Sequence, residues 1–356
     1  MGPVTSKLQF PSRVLTLALS LIVCTVSASA KNKKDKKAEQ AEAQALLDKA
    51  AALTNIEAPG SQPFVYIANT SWTENGKTTK GLFGVAWQRV DRYREQIAFP
   101  GFMQTEVVSG DKLYRARNTE PMQLLAMRWL SMFPVWNHLG NRPKKGPTIS
   151  SAHPPKELAN AKNFACVTAT VADTGIETAK LTVCFDNSTG LPLLSQQRYG
   201  DNTVTQAFSN YAALGDKYFP REITYADSAG NRGEMKASRL DVFTTFAEST
   251  FQPPPNSMAL PWCAQPTFKN PLANDPVFMH IQKWIPAEIP DLNEPYIFIM
   301  VNSKGRVQKV FFMGTPPNFQ EQDAANDVYG SQLPIKYCGK EAIPYETFLQ
   351  LGRRVQ

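Results

Sequence analysis

The chain has 356 residues, with 38 Lys and Arg against 31 Asp and Glu and a formal net charge of +7. Seven of those cations lie ahead of Ala38, two of them (Lys7 and Arg13) before an apolar run and five in the tail Lys31–Lys37 (KNKKDKK), so from Ala38 onward the balance is 31 against 30. A nearly neutral folded part excludes nucleic-acid binding as the meaning of the basic pI. The tail reads as a solvated spacer or a weak attraction to anionic lipid headgroups.

Residues 1–30 have the form of an export signal. Lys7 and Arg13 give a basic start, Val14–Val26 is apolar throughout apart from hydroxyls and one cysteine, and Ala28-Ser29-Ala30 is a small-x-small cleavage pattern. Cleavage is expected between Ala30 and Lys31, with the mature protein in the periplasm. Two rivals stay open. Leu21-Ile22-Val23-Cys24 resembles a lipobox, although Val23 is larger than that motif wants. An uncleaved inner-membrane anchor would use Val14–Ala30, at the bottom of the length needed to cross about 30 Å of hydrocarbon. No later segment is apolar for long enough to span.

Ala38–Thr54 is rich in Ala and Glu, with Leu46, Leu47 and Leu53 at helical spacing, and predicts a helix. From Phe64 the period switches to two. Phe64–Trp72, Lys80–Gln88, Arg92–Phe99, Gln104–Val108 and Lys112–Arg117 are predicted strands, with hairpin chemistry at Asn75-Gly76 and Ser109-Gly110-Asp111. Pro121–Phe133 predicts an amphipathic helix and Asn137–Lys162 a polar, Pro-rich loop. Strands resume at Phe164–Val171, Thr178–Phe185, Leu193–Arg198, Thr203–Tyr211, Tyr218–Ala226 and Gly233–Phe243. About eleven strands joined by short turns imply an antiparallel meander too long to lie flat. Phe251–Pro276, with Pro253-Pro254-Pro255, reads as a boundary. Beyond it Tyr296–Val301 and Val307–Met313 flank the hairpin turn Asn302-Ser303-Lys304-Gly305; Gln320–Tyr329 is a short helix and Ala342–Leu351 a closing strand.

The predicted fold is therefore mainly β with minor α. A large curled antiparallel sheet with covering helices is followed by a small C-terminal β-β-α-β module. The expected divisions are 1–30 signal, 31–57 basic tail and Ala-rich helix, 58–250 curled-sheet domain, 251–276 linker and 277–356 terminal module.

Four cysteines follow the signal, without a C-x-x-C, and His138, His153 and His280 are widely scattered, so a metal site has poor material. An even count in an exported chain points to two disulfides. Cys166 and Cys184 fall on the two arms of a hairpin turning at Asp173-Thr174-Gly175, where opposed Cα atoms lie about 4.5–5.5 Å apart. Such a bridge stabilises by roughly 3 kcal/mol. Cys263 then pairs with Cys338.

With these elements in place, Phe64 to about Phe243 resembles the periplasmic lipoprotein-carrier family (LolA/LolB-like). The residues that carry the likeness are Gly84-Val85-Ala86-Trp87 with Asp91-Arg92-Tyr93-Arg94, then Gly110-Asp111-Lys112-Leu113-Tyr114 and Cys184-Phe185-Asp186 with Gly190-Leu191. Tyr218-Phe219-Pro220-Arg221 adds a further echo. The resemblance implies a curled sheet over a greasy cavity and an apolar ligand or lipoprotein as partner. The cysteines are not a general feature of that family. The last eighty residues are similar to a TonB C-terminal domain through Ile299–Val310 (IMVNSKGRVQKV), the Ala324-Ala325 pair, Leu333-Pro334, Gly339 and Ile343-Pro344. That likeness implies a second envelope protein as partner. The family's Tyr-Pro segment and its anchor histidine are not present, which disfavours an energy transducer.

No G-x-S-x-G, H-E-x-x-H, P-loop or G-x-G-x-x-G sequence occurs, so neither an enzyme nor a cofactor is expected. The candidate sites are apolar. Phe83, Val85 and Trp87 share one face of a strand, as do Tyr93, Glu95, Ile97 and Phe99. Phe83, Val85, Trp87, Tyr93, Ile97 and Phe99 are either packed core or the lining of a cavity for lipid. Phe102 and Met103, at the turn Pro100-Gly101-Phe102-Met103, are candidates for contact with a partner or a membrane surface. The expectation is a non-enzymatic envelope binding protein; the alternative is a membrane-tethered, TonB-family interaction or energy-transducing protein whose sheet is only a scaffold.

Overall fold

The structure, a computed structural model, describes residues 33–119, 122–133, 149–152, 163–172, 178–199, 202–264, 266–268, 296–313 and 319–350. The export segment with its Ala30/Lys31 cleavage site, the lipobox-like Cys24, the turn at 173–175 and all three histidines lie outside these residues.

Local turn chemistry sets the strand order. Asn75 and Gly76 take φ of 50° and 73°, the left-handed pair a two-residue hairpin turn requires. They join β1 (Phe64–Glu74) to β2 (Lys77–Arg89). Further hairpins continue through β3 (Arg92–Phe99) and β4 (Phe102–Ser109) to β5 (Lys112–Arg117). After helix α2 (Leu124–Met132) the chain restarts at the far edge with β6 (Ile149–Ala152). It then returns through β7 (Phe164–Ala172), β8 (Thr178–Asp186), β9 (Pro192–Tyr199), β10 (Asn202–Leu214) and β11 (Lys217–Asp227) to β12 (Arg232–Val242). The last of these pairs with β1, and the two meanders fuse in mid-sheet. With β13 (Met258–Pro261) added at one edge, the result is one open sheet of thirteen strands, in the order β13-β5-β4-β3-β2-β1-β12-β11-β10-β9-β8-β7-β6.

Two of the thirteen were not expected. β6 lies inside the stretch read as loop, and β13 (Met258–Pro261) inside the stretch read as linker. Each is four residues long, too short for alternation to register, and each becomes a strand by pairing with an existing edge. Pro261 is tolerated because an edge strand leaves one side free of ladder bonds.

The 251–276 linker is corrected accordingly in its described part. From β12 the chain crosses the face of the sheet opposite the main core. Phe243, Phe246 and Phe251 follow one another along it, the first two stacked at 5.1 Å and the last two edge to face at 5.2 Å. Arg92 pairs with Glu248 and lies over the Phe251 ring. The chain then adds β13 to β5 and β14 (Thr267–Phe268) to the terminal module.

The main core lies on the concave face. Phe64, Tyr66, Phe83, Ile97, Phe219, Ile223 and Met235 are fully enclosed there. Helix α1 (Lys33–Thr54) contributes Ala43, Leu47 and Ala50 to the same core. Helix α2 contributes Ala126, Trp129 and Met132. Glycine lets α2 descend: a Cβ on Gly81 would meet Trp129 at 2.3 Å, and one on Gly233 would meet the Met132 sulfur at 2.6 Å. No described helix is long and apolar enough to cross a membrane.

The terminal module has the expected β-β-α-β order. β15 (Tyr296–Val301) lies between β16 (Val307–Met313) and β19 (Tyr345–Gln350), with α3 (Phe319–Val328) over the sheet. Ile297, Ile299, Val328 and Leu333 form its core. Two short strands not anticipated separately, β17 (Lys336–Cys338) and β18 (Glu341–Ile343), make a second small sheet with β14. Both disulfides form as paired in the sequence. Cys166 and Cys184 are direct cross-strand partners on the outer face of β7 and β8, and Cys263–Cys338 ties the segment after β13 to the terminal module.

Candidate functional site

Cross-strand register places a gradient across the concave face. One row runs Tyr66, Val85, Glu95, Glu106, Arg115 over β1 to β5. The next runs Ala68, Phe83, Ile97, Gln104, Arg117. Both begin aromatic or aliphatic and end ionic. Beneath α2 the sheet is apolar; at the β4–β5 end it is charged.

The apolar end holds most of the candidate cavity residues. Phe83, Val85, Trp87, Ile97 and Phe99 belong to the main core. They pack closely: Phe64 stacks on Trp87 at 5.6 Å, Phe83 meets Phe133 at 5.1 Å, and Phe99 meets Trp129 at 5.0 Å. Tyr93 packs against the same core but stays partly exposed. At the hairpin tip the two contact candidates separate. Phe102 turns inward, 2% exposed and stacked on Phe99 at 5.0 Å, whereas Met103 is 49% exposed on the outer face. Phe102 is thus corrected from a surface contact to a core residue, because adjacent residues of a strand face opposite sides.

The polar end is an ion network that the sequence reading did not assemble. The Arg115 guanidinium donates to Glu106 at 2.5 Å and reaches Glu346 at 2.6 Å. Arg117 donates to Gln104 at 2.6 Å and lies 3.7 Å from the same Glu346 oxygen. Its side chain is 1% exposed, and its guanidinium sits 5.9 Å from the centre of the Phe298 ring on β15. The terminal module is therefore seated against the charged end of the large sheet.

Beside this network Glu95 and Tyr93 share the concave face. Glu95 lies deep, and burial raises its carboxyl to about 8, helped by Glu106 and Glu57 and opposed by Arg115. It nevertheless keeps part of its surface accessible. Burial likewise raises the Tyr93 phenol, with Glu95, Glu106 and Glu57 adding to it. The Tyr93 and Trp262 rings meet edge to face at 6.3 Å. Burial also raises Glu57.

A sequence signal for part of this existed. Glu95 interrupts an inward apolar stripe, and the predicted turn at 109–111 puts Glu106 opposite Arg115. Nothing local announces Glu346 or Trp262. Among the described residues no group of His, Cys, Asp and Glu is arranged to hold a metal ion.

Comparison with protein-family models and with curated proteins finds no match. Among solved structures the chain is similar to a LolA-superfamily protein from Nitrosomonas europaea, at 13% identity and a TM-score of 0.38, over 59% of this chain and 97% of that one. It is similar to a DUF1329-family protein from Desulfovibrio piger, at 11% identity and a TM-score of 0.38, over 60% and 97%. It is also similar to the MucA/MucB complex of Pseudomonas aeruginosa, at 10% identity and a TM-score of 0.27, over 87% and 99%. At these identities and scores nothing about the ligand, partner or role of this chain follows. The TonB-like reading of the last eighty residues gains no support from them.

Proposed function

We propose that this chain is an exported, non-enzymatic envelope protein that holds an apolar ligand, a lipid or lipoprotein acyl chain, between the concave face of its sheet and helix α2. The observation that carries this reading is how α2 is held. It has nine residues, no side-chain cap at Gln123, no acidic residue in its first turn and no basic residue in its last. Its seat is made of side-chain packing together with Arg128, which pairs with Glu74 and lies over the Trp72 ring. A hydrocarbon chain that replaced Trp129 and Met132 on the sheet would recover about 0.8 kcal/mol per buried methylene. The two disulfides fit an oxidising compartment outside the cytoplasm. The terminal module is proposed to contact a second envelope protein, through strand addition at an open edge of its sheet.

Native mass spectrometry of gently extracted protein tests the ligand. A lipid-sized adduct lost on delipidation is expected; a bare mass, with no uptake of a fluorescent fatty acid afterwards, overturns the reading. A second reading, an interaction protein whose sheet is only a scaffold, is favoured by the close aromatic packing of Phe83, Trp87 and Phe99. N-terminal sequencing of the mature chain then separates a tethered form from a released one.

A further inference from the structure

The contact between α2 and the sheet holds polar atoms that its own packing does not use. Tyr66 and Trp129 are 0% exposed, and Thr70 and Trp72 are 3% exposed. The Tyr66 and Thr70 hydroxyls and the Trp72 and Trp129 indole nitrogens are enclosed, and none has a hydrogen-bond partner among the described residues. They are not scattered. Thr70 lies directly opposite Gly81, the glycine on which the Trp129 ring rests. Trp72 lies directly opposite Gly233, the glycine against which the Met132 sulfur rests. Tyr66 meets Phe133, just beyond α2, with ring centroids 5.5 Å apart. Each polar side chain of β1 thus sits where one side chain of the α2 segment comes down, and Trp129, Met132 and Phe133 bring it no oxygen. A buried donor without an acceptor keeps its full desolvation penalty, and native cores rarely retain one. Four in one contact, every one able to donate, are the complement of a group that only accepts. An ester carbonyl, with lone pairs and no proton to give, is such a group. Arg128, the cation of α2, is engaged by Glu74 and the Trp72 ring, which favours a neutral acceptor over a carboxylate.

We propose that the ligand taken beneath α2 is an acyl ester, whose carbonyl oxygen accepts from the donors of Tyr66, Thr70, Trp72 and Trp129 while its hydrocarbon takes the place of the α2 side chains. This rests on the apolar-ligand reading above and names the ligand's polar group. The arrangement carries a signature. In the free protein each unpaired hydroxyl is a burden on stability, and in the complex it becomes a source of affinity, so deleting one moves the two quantities in opposite directions.

The test is calorimetric titration of the full chain with two matched amphiphiles below their micellar concentrations, 1-dodecanoylglycerol and 1-O-dodecylglycerol. They share chain and head group and differ only in the carbonyl. The ester is expected to bind about tenfold more tightly than the ether. Thr70→Val and Tyr66→Phe each delete a hydroxyl with little change of volume. Each is expected to cut that ratio about threefold and to leave the ether affinity as it was, whereas Thr70→Ser keeps the ratio. The free Thr70→Val and Tyr66→Phe proteins are expected to melt at the parent temperature or above it. An ester-to-ether ratio unchanged in both folded variants overturns the proposal, and a lowered melting temperature beside it marks the hydroxyls as merely structural. Equal binding of ester and ether by the native protein also overturns it and leaves the apolar trough standing. Binding of neither probe overturns both.

Discussion

Neighbouring residues at a hairpin tip part company across a sheet, and Phe102 and Met103 differ in energy as they differ in direction. Removing the buried Phe102 ring, which touches Phe99, leaves a cavity under α2. Phe102→Ser is expected to cost about 3 kcal/mol or more in urea denaturation, and Met103→Ser less than about 0.5 kcal/mol. Any role of this turn in meeting a membrane or a partner then falls to Met103 alone, and liposome binding by Met103→Ser reads it directly. Glu95 makes a second prediction at this scale. Its carboxyl titrates near 8 when folded, against an ordinary value of 4.5. Between those values the folded state holds more protons than the unfolded chain, so stability falls as pH rises through that window, by up to about 1.4 kcal/mol per pH unit. Denaturation at pH 5 and at pH 8.5 should show the loss in the native protein and much less of it in Glu95→Gln.

Helix α2 shows how an element is seated from both sides. Its pattern was legible, since Ala126, Trp129 and Met132 recur at helical spacing and all three are buried. The other half of the contact was not legible. Gly81 and Gly233 sit in strands where glycine has no local advantage, and they earn their place only because indole and thioether lie against their backbones. Gly81→Ala is expected to lift α2 and cost about 2 kcal/mol, with a shift in tryptophan emission as Trp129 leaves its site. The edge strands teach the reverse lesson. β6 and β13 have four residues each, and neither declares itself before its neighbour exists. Longer strands did declare themselves: Arg92–Phe99, Lys112–Arg117, Tyr296–Val301 and Val307–Met313 begin and end where their alternation does.

At the scale of the whole molecule, the chain divides less cleanly than its composition implies. The Pro-rich stretch suggested a tether between two independent bodies. Its described residues instead cross one face of the sheet, supply an outer strand and carry Cys263 to Cys338. The terminal module then sets Glu346 against two arginines of β5, one of them almost wholly buried. Glu346→Ala would leave those guanidinium groups without their shared carboxylate, and loss of one partner of a buried pair costs about 3–5 kcal/mol. Hydrogen exchange should quicken in β15 and β19 of that variant while β7 to β10 remain protected. Equal protection throughout would mean that the disulfide and β13 alone hold the module in place.

The sequence by itself determined the longer strands, the hairpin turns, the two short helices and the Cys166–Cys184 bridge, because each rests on contacts within a few residues or on a register that a turn propagates; Cys263–Cys338 followed only as the remaining pair. It also determined which strand faces are apolar. Only the tertiary structure decided what those faces meet. Whether Phe83 and Trp87 line a space or fill it depends on α2, which reaches them from forty residues away. Whether Glu95 finds a cation depends on Arg115, whose attention is taken by Glu346 from more than two hundred. Alternation has a period and can be read along a chain; the pairing of distant charges has none.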